Sequence, residues 1–423
     1  MRRVVITGLG VIAPNGNGVE AFKNALQKSQ SGIRYFEKLK ELNFGCQIGG
    51  APQNIDPLKA KFFNEEELAT MNETLSLACL AGLECWHSSG MPSPNGDIVF
   101  EDTGVTVGVG IGGMDTIGST LIPMVNAGRA RRMGSSIVEN VMASGASARL
   151  GGFLAAGGQV TTNSSACTTG TEAIADGYFK IKEGRLNRVV AGGVEGSSLY
   201  SWAGFDSMRV LPTGFNDKPE KGSRPMSASS QGFVPGSGAG LLMLEDLETA
   251  IARNATIFAE IIGAEINSGG QRDGGSMTAP GSKGVIRCIQ KALERAQIHP
   301  SEIDLINGHL TGTFADPYEI NNWQKALSIA PANFPYIQST KSLIGHGLGA
   351  AGGMECVAVV LQLVHGFIHG SINCEDLHSD LLPYKDKIQM QTIYKDIKIA
   401  AKASFGFGDV NGCIIFKKWE KRQ

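Results

Sequence analysis

Short apolar runs alternate with helix-like segments along most of the chain, and this alternation constrains the fold more than any other feature. The strand-like runs are 3–7, 104–109, 188–191, 240–244, 257–262 and 413–416. The helix candidates between them are 68–88, 170–183, 283–296 and 352–365. Such an alternation predicts an α/β fold.

The length of 423 residues is too great for one simple core and favours two halves. Residues 246–255 read as a helix that leads into the second half. We therefore expect an N-terminal half of residues 1–250 and a C-terminal half of residues 251–423. A polar turn followed by a helix of small residues occurs in both, at 161–183 and 338–365, which hints at a duplicated unit.

Composition and charge exclude several classes of protein. Hydrophobic residues make up 42% and charged residues 18%, as in an ordinary soluble globular protein. Lys and Arg number 38 against 40 Asp and Glu, a net charge of −2, so nucleic acid and membranes are not expected partners. No window reaches the roughly 18 apolar residues that span a bilayer, and the N-terminal apolar run is too short for a secretory signal. These features predict a cytoplasmic protein.

Cysteine and glycine patterns argue against metal and nucleotide sites. None of the eight cysteines forms a CxxC pair, so neither a zinc site nor a redox dithiol is expected. Segments 8–13, 108–113 and 347–352 match the glycine pattern of dinucleotide-binding turns. Each lacks part of the required context, which is a preceding strand, a following helix and an acidic residue about 20 positions further on. We therefore expect no metal and no cofactor.

The segment 163–171, Asn-Ser-Ser-Ala-Cys-Thr-Thr-Gly-Thr, carries the strongest chemical signal. Cys167 stands among small residues at the start of a predicted helix, where a bulky acyl group can approach it closely. Helix-terminal N–H groups lower the pKa of a thiol, which favours the nucleophilic thiolate. A lone cysteine is more often a small core residue, so the assignment of Cys167 as a nucleophile depends on its context.

Two histidines in the second half supply that context. His309 follows an apolar strand, in a turn that contains glycine and threonine, and His346 lies between two glycines. Lys341 precedes His346 in the same segment. The other histidines are predicted to be structural, and they are at positions 87, 299, 365, 369 and 378.

Together these segments resemble the β-ketoacyl synthase family, in particular the elongating condensing enzymes of dissociated fatty acid synthesis. The resemblance runs from Val4 to about Phe416, and the order Cys, His, Lys, His at separations of 142, 32 and 5 positions matches the family. Further matches are the opening strand and Gly-Leu-Gly turn at 4–10, and segments 191–195, 216–219, 224–225, 232–234, 277–280 and 405–408. The resemblance implies a thiolase-like α/β fold, with duplicated βαβαβαββ halves in a five-layer arrangement.

The resemblance also implies a reaction. Cys167 accepts an acyl chain from acyl carrier protein, malonyl carrier protein loses carbon dioxide, and the resulting enolate attacks the acyl group to give a 3-oxoacyl chain two carbons longer. By the same resemblance His309 and His346 stabilise the enolate, and Lys341 is a fixed positive charge near His309. The backbone amides of Cys167 and Phe407 form the oxyanion hole.

Other residues match positions that bind substrate or support the site in the family. The matches to pantetheine-binding residues are Thr278, Thr311 and Thr313. Ile111 matches a residue that lines the acyl pocket, and Phe407 matches its gate. Asp316 and Glu355 are either a supporting network or ordinary solvated carboxylates. The candidates for docking the carrier protein are Arg129, Arg131 and Arg132. The alternative is that these arginines belong to an ordinary charged, solvated loop.

Several positions depart from the family pattern without removing a catalytic group. Leu310 and Gly312 replace a glycine and a serine beside the first catalytic histidine. Asp409 replaces a glycine after the gate, Ser237 replaces a glutamate, and residues 226–231 replace a charged segment. These changes indicate a specialised pathway of the polyketide or polyene type, with fatty acid synthesis as the alternative.

Three related classes fit the residues less well. A thiolase needs a second catalytic cysteine in a C-terminal glycine-rich turn, whereas Cys413 lies in an apolar run. Initiating condensing enzymes use a Cys-His-Asn set and lack the Lys-x4-His segment found at 341–346. A chain-length factor, which is a silent partner subunit, normally lacks the nucleophile that Cys167 provides. The expected partners are acyl and malonyl carrier protein, and both a homodimer and a heterodimer with a chain-length factor stay open.

Overall fold

Strands and helices alternate as the sequence predicts, with most ends displaced by a few residues. The computed structural model describes residues 2–420. The strands are β1 (Val4–Ala13), β2 (Gly16–Asn17), β3 (Ile33–Tyr35), β4 (Ile48–Gly50), β5 (Thr103–Val109), β6 (Val160–Thr161), β7 (Arg188–Glu195), β8 (Gly238–Asp246), β9 (Ala259–Ser268), β10 (Leu305–Asn307), β11 (Tyr336–Gln338), β12 (Phe367–Ile368), β13 (Ile393–Tyr394), β14 (Ile399–Gly406) and β15 (Val410–Lys418). The α-helices are α1 (Val19–Gln27), α2 (Glu37–Glu41), α3 (Asp56–Phe62), α4 (Glu65–Ala69), α5 (Glu73–Ser88), α6 (Met114–Thr116), α7 (Ile122–Asn126), α8 (Ile137–Val141), α9 (Gly145–Phe153), α10 (Thr169–Lys182), α11 (Leu199–Ser207), α12 (Leu247–Ala252), α13 (Ser282–Ala296), α14 (Asp316–Leu327), α15 (Lys341–Ile344) and α16 (Ala351–His365).

The main sheet is built from one strand arrangement used twice. Its order is β11-β10-β14-β15-β9-β1-β8-β7-β5-β6, with β2 paired to β1. Counted from β1 outwards, the strands of the first unit follow the chain order first, fifth, fourth, second, third, and those of the second unit follow the same order from β9. The units meet where β1 and β9 pair antiparallel, with Val4 opposite Ile261. The chain therefore has the duplicated α/β architecture that the sequence predicts.

Two helices of small and apolar residues lie between the units. α10 packs on β5 and β7 of the first unit and on β9 and β15 of the second, and α16 packs on β7, β8, β14 and β15. A Cβ atom at Gly170 would lie 2.6 Å from Gly353 N, so glycine permits the two helices to touch. α5, with α9 beside it, covers the outer face of the first unit, and α13, with α14 beside it, covers that of the second. The result is five layers.

The central helix α16 is buried on every side. All residues from Ala351 to Leu363 are buried, and a helix that is apolar all round is a core helix or a membrane span. The segment Leu348–His365 is long and apolar enough to cross a membrane, with mean hydropathy 1.5, but 89% of it is buried inside the fold. The prediction that no window has such a composition is therefore wrong, because a helix between two sheet units needs the same apolar surface as one in lipid.

The predicted helix 68–88 is also wrong as a single element. The structure divides it into α4 and α5, and the break is at Asn72. The Asn72 side chain accepts a hydrogen bond from the Leu75 backbone N–H at 3.0 Å and so begins α5. Asparagine is among the best residues at this position, because its side chain satisfies a free N–H of the first helical turn.

The predicted Gly-Leu-Gly turn at 8–10 is not a turn. β1 continues through it to Ala13, fully buried along its length. A Cβ atom at Gly10 would collide with the carbonyl oxygen of Ala81 in α5. These glycines therefore serve the close packing of a helix on a strand, and not a change of chain direction.

Candidate active site

Cys167 lies at the start of the central helix α10. Ala166, with φ at 50°, begins a single 3₁₀ turn, Ala166–Thr168, that leads into the helix. Gly406 of β14 packs on this turn, since a Cβ atom there would lie 3.1 Å from Cys167 N. Cys167 is partly exposed, whereas the other seven cysteines are buried. It is the cysteine that a substrate can reach.

The Cys167 thiol is not activated in the way that its helix position predicts. Desolvation raises its pKa to about 11, although the Lys341 ammonium and the backbone N–H of Phe407 act in the opposite direction. The expectation of a lowered pKa is therefore wrong, because loss of water around the sulfur outweighs the favourable charges. The resting protein holds Cys167 as a neutral thiol.

His309 and His346 of the second unit form a cluster with Cys167. Cys167 Sγ and one ring nitrogen of each histidine lie within 4.8 Å of one another. The two imidazole rings are 5.3 Å apart and almost perpendicular, at 83°. Along the chain, α10 lies between the third and fourth main-sheet strands of the first unit, which are β6 and β7. α16 lies between the third and fourth main-sheet strands of the second unit, which are β11 and β14. Both helices follow a 3₁₀ turn, so the duplicated fold brings two corresponding helix starts to one site.

Both histidines are neutral hydrogen-bond donors. Desolvation lowers the pKa of each ring well below its usual value, and the Lys341 charge lowers it further. His346 Nδ1 accepts a hydrogen bond from the Leu348 backbone N–H at 3.2 Å, so the ring proton lies on Nε2. His309 Nδ1 is buried and has no hydrogen-bond partner among residues 2–420. Neutral imidazoles of this kind can stabilise a developing oxyanion.

Lys341 holds the backbone of His309 and not its ring. Its Nζ donates to the His309 carbonyl oxygen at 2.7 Å and to Glu355 Oε1 at 2.5 Å. Both Lys341 and Glu355 are completely buried, so Glu355 belongs to a buried network and is not a solvated carboxylate. The other carboxylate oxygen of Glu355 lies 2.9 Å from Nζ of a second buried lysine, Lys402 of β14. The sequence interpretation missed Lys402.

Two carboxylates at the start of α14 hold the loop that carries His309. Asp316 and Glu319 are buried. At distances from 2.7 to 3.0 Å, they accept the backbone N–H groups of His309, Leu310, Thr311 and Gly312. Desolvation raises the pKa of Glu319 to about 7. Glu319 was not predicted, although it stands one helical turn after Asp316. The same loop has φ values of 24° at Leu310 and 78° at Gly312, so the glycine that replaces a family serine fits a left-handed position.

Phe407, the predicted gate residue, lies in the turn between β14 and β15, which we call the gate turn. Asp409 of this turn is buried and has a φ of 61°, a left-handed conformation. Its carboxylate accepts hydrogen bonds from Gln271 N at 2.9 Å and Gly281 N at 2.8 Å. The gate turn is therefore bonded to the loop before α13, which carries the exposed Thr278.

Ile111 follows β5 beside the buried carboxylate of Glu195. At distances from 3.0 to 3.3 Å, Glu195 accepts the N–H groups of Gly110, Ile111, Gly112 and Gly349. Desolvation raises the pKa of Glu195 to about 7. The glycine pattern at 108–113 thus binds a carboxylate of the protein itself. The Ile111 side chain is 39% exposed, so this chain alone does not enclose it.

The remaining predicted site residues lie nearer the surface. Thr311 and Thr313 are half-buried, and their hydroxyl oxygens are 3.1 Å apart in the His309 loop. The three arginines proposed for docking are exposed around the 3₁₀ turn Ala130–Arg132, and none makes an ion pair with another described residue. They are Arg129, Arg131 and Arg132.

The duplicated five-layer fold and the cluster of Cys167, His309 and His346 define a condensing acyltransferase of the thiolase-like class. The family model of the β-ketoacyl synthase N-terminal domain matches residues 1–250, and the model of the C-terminal domain matches residues 258–375. The chain belongs to the β-ketoacyl synthase family.

Similar proteins cover the whole chain. The 3-oxoacyl-[acyl-carrier-protein] synthase 2 of Vibrio harveyi is 34% identical over 429 residues, which cover 99% of this chain and 99% of that protein. A β-ketoacyl synthase structure from Burkholderia phymatum STM815 has a TM-score of 0.91 and 27% identity, and the match covers 99% of this chain and 100% of that chain. The ishigamide ketosynthase/chain length factor has a TM-score of 0.89 and 28% identity, and the match covers 99% of this chain and 100% of that chain. AntDE:AntF, a type II polyketide synthase acyl-carrier protein in complex with its ketosynthase, has a TM-score of 0.87 and 26% identity, with the same coverage.

Proposed function

We propose that the protein is a 3-oxoacyl-[acyl-carrier-protein] synthase that joins an acyl group on Cys167 to a malonyl group on acyl carrier protein. The observation that carries this proposal is the cluster in which the one partly exposed cysteine lies beside two neutral, buried histidines. A silent subunit has no use for such a cluster. Residues 1–250 supply the nucleophile, and residues 251–423 supply the histidines and Lys341.

The first step is acyl transfer to Cys167. The sulfur attacks the acyl thioester of the carrier protein, a new C–S bond forms, and the bond to the pantetheine sulfur breaks. The thiol proton passes to the departing pantetheine sulfur. Because the pKa of the Cys167 thiol is raised, this proton leaves during the attack and not before substrate binds. The backbone N–H groups of Cys167 and Phe407 stabilise the oxyanion of the tetrahedral intermediate.

The second step breaks the bond between the malonyl carboxylate carbon and its neighbour. Carbon dioxide leaves, and the electron pair becomes the enolate of the thioester. His346 Nε2–H and a ring N–H of His309 donate to the enolate oxygen. The enolate carbon then attacks the acyl-Cys167 carbonyl, the C–S bond breaks, the Cys167 thiolate leaves and takes up a proton from water, and the 3-oxoacyl product stays on the carrier protein.

The carrier protein is the proposed partner, and its pantetheine arm is the part that enters the pocket. The hydroxyl groups assigned to this arm are those of Thr278, Thr311 and Thr313. The similarity to a ketosynthase in complex with its acyl-carrier protein supports this partner. The exposed Arg129, Arg131 and Arg132 are the proposed docking residues. Free cysteines throughout support a reducing, cytoplasmic location.

We propose that the protein works as a dimer. Several exposed large apolar side chains lie between positions 111 and 160, and they are Ile111, Ile122, Val125, Val138, Met142 and Val160. The last of them is in β6, one of the two edge strands of the main sheet. Exposed apolar patches and open sheet edges are typical of interfaces. A homodimer closes this face, and a heterodimer with a chain-length factor, favoured by the ishigamide similarity, is the second candidate.

Mass spectrometry tests the proposal. We would incubate the protein with carrier protein loaded with acyl chains of several lengths, map the acyl adduct, and then add malonyl carrier protein. We expect acylation of Cys167 alone and release of a 3-oxoacyl carrier protein. Cys167→Ala is the control and should carry no adduct. An acyl group on any other cysteine, or none at all, would overturn the assignment.

A further inference from the structure

We propose that Lys402 is a positioning residue for this reaction, which sets the charge behind the two histidines by sharing the Glu355 carboxylate with Lys341. This inference rests on the proposed condensing function. Nothing in the family resemblance pointed to Lys402, which lies in the apolar strand β14.

The geometry is that of one carboxylate between two ammonium groups. Lys402 is fully buried, and its Nζ lies 2.9 Å from Glu355 Oε2 and 3.0 Å from Ser404 Oγ. Lys341 Nζ lies 2.5 Å from Glu355 Oε1. Buried lysines are rare, because removing an ammonium group from water costs several kcal/mol unless a charge partner is close. A second buried lysine on the same carboxylate therefore needs an explanation.

The consequence is an uncompensated charge at the site. Two ammonium groups and one carboxylate sum to a formal charge of +1, whereas Lys341 and Glu355 alone would sum to zero. Lys341 connects this triad to the site, because its Nζ also donates to the His309 carbonyl oxygen at 2.7 Å. The Lys402 charge lowers the pKa of His309, of His346 and of Lys341. Desolvation is the main cause of the low pKa of both rings, and the Lys402 charge lowers that pKa further. The triad therefore supports the neutral form of both rings and adds attraction for an enolate oxygen.

Other titratable groups face the triad from the elements around it. They are Cys167 before α10, Glu319 of α14, Cys356 of α16, His369 after β12 and Cys413 of β15. Burial raises the pKa of the Cys356 and Cys413 thiols to about 12 and lowers the pKa of His369 to about 4, so these three are neutral near pH 7. Glu319, with a pKa of about 7, is present in every variant below. A difference between the pH profiles of two variants is therefore due to the charge of the triad.

The test is the pH profile of malonyl decarboxylation in variants of known formal charge. Lys402→Met brings the triad to zero, Glu355→Gln brings it to +2, and the double variant and Lys402→Arg keep it at +1. We expect the rising and the falling limb of the pH profile to move up by about one pH unit in Lys402→Met and down in Glu355→Gln. In the double variant and in Lys402→Arg, both limbs should lie at the same pH as in the wild type. Lys180→Met, which removes another buried lysine paired with Asp176, should leave the limbs in place.

A second readout does not depend on the carrier protein. The rate of alkylation of Cys167 by iodoacetamide against pH should show a midpoint at higher pH in Lys402→Met, because Glu355 then offsets the charge of Lys341 alone, and Lys341 is the ammonium group that lowers the pKa of the Cys167 thiol. If the wild type fails to decarboxylate malonyl carrier protein while this midpoint still moves, the proposed function fails, and only the effect of Lys402 on the charge beside Cys167 stands. If decarboxylation is slower in Lys402→Met but neither the limbs of its pH profile nor the alkylation midpoint moves, Lys402 is structural and the inference is overturned. Should Lys402→Met not fold, the comparison of Glu355→Gln with Lys402→Gln/Glu355→Gln makes the same test.

Discussion

The two histidines are held by different contacts, and they are the residues whose roles separate most clearly by mutation. Changing either His309 or His346 to Ala removes a neutral donor to the enolate oxygen. We expect malonyl decarboxylation to fall by about 10²–10³-fold, the usual cost of one oxyanion donor, while acyl transfer to Cys167 largely survives. Carbon dioxide release and acyl-enzyme mass measure the two steps. His365→Ala, at the far end of α16, is the control. Loss of transfer with decarboxylation intact would mean that the roles are misassigned.

Ile111 is the one bulky side chain in a run of glycines, beside amides that Glu195 holds fixed. Ile111→Phe should reduce activity on long acyl chains and spare short ones, because the larger ring fills space that the glycines leave open. The measurement is kcat/KM across a series of acyl carrier proteins of increasing chain length. Ile251→Phe, at an exposed apolar position of α12 outside the proposed dimer face, is the control. A uniform loss at all lengths would show that Ile111 supports the fold and does not line a pocket.

At the residue scale, the sequence predicts groups that stand in distinctive turns and misses groups that tertiary structure brings to them. Cys167 and His346 could be singled out from their small neighbours, whereas the role of Lys402 depends on Glu355, which belongs to a distant helix. A usable signal was present, since a lysine inside the apolar run Ile-Ala-Ala-Lys-Ala-Ser of β14 has to find a buried partner. The raised thiol pKa could not be predicted, because it depends on water that both units exclude.

At the element scale, the gate turn and the loop before α13 behave as one unit because Asp409 joins them. Asp409→Gly removes the acceptors of two backbone N–H groups and relaxes a left-handed residue. We expect faster acyl loading of Cys167, little change in chain-length preference, and a free energy of unfolding lower by about 1–3 kcal/mol. Rapid-quench loading assays and denaturant unfolding measure these quantities. Asp409→Asn keeps one acceptor oxygen, so its loading rate and its free energy of unfolding should lie between those of the wild type and Asp409→Gly. Unchanged loading in Asp409→Gly would contradict a gating role.

Element types could be predicted more reliably than element ends. Buried strands such as β7 and β8 are long apolar runs, and their type follows directly from composition. The ends depend on single side chains, as when Asn72 begins α5 inside a segment that reads as one continuous helix. The extent of β1 depends on packing, because α5 lies against glycines that otherwise suggest a turn.

At the scale of the whole molecule, a nearly neutral protein needs a local basic patch to bind an acidic carrier protein. Reversing Arg131 and Arg132 to Glu should raise KM for the carrier protein, leave kcat nearly unchanged and weaken the dependence of KM on salt. Steady-state kinetics at several salt concentrations measure this. Reversal of Lys38 and Lys40, exposed on α2, is the control. Equal effects of both double variants would favour a general charge effect over docking.

The architecture as a whole could be predicted only through the family resemblance. The two turn-and-helix segments hinted at a repeat, and the matching strand orders establish it. Composition alone would also allow α16 to be a membrane span. Its burial between the sheet units shows why a hydropathy pattern cannot distinguish lipid from a protein interior.

The corresponding positions of α10 and α16 have a consequence for the history of the chain. Before the two copies of the unit diverged, identical helix starts would have faced each other, with no distinction between the group that carries the acyl chain and the group that stabilises its attacker. The two starts now differ, with a sulfur at one and an imidazole beside the other. The proposed reaction therefore depends on the difference between the two units, and neither unit alone contains the whole set of Cys167, His309 and His346.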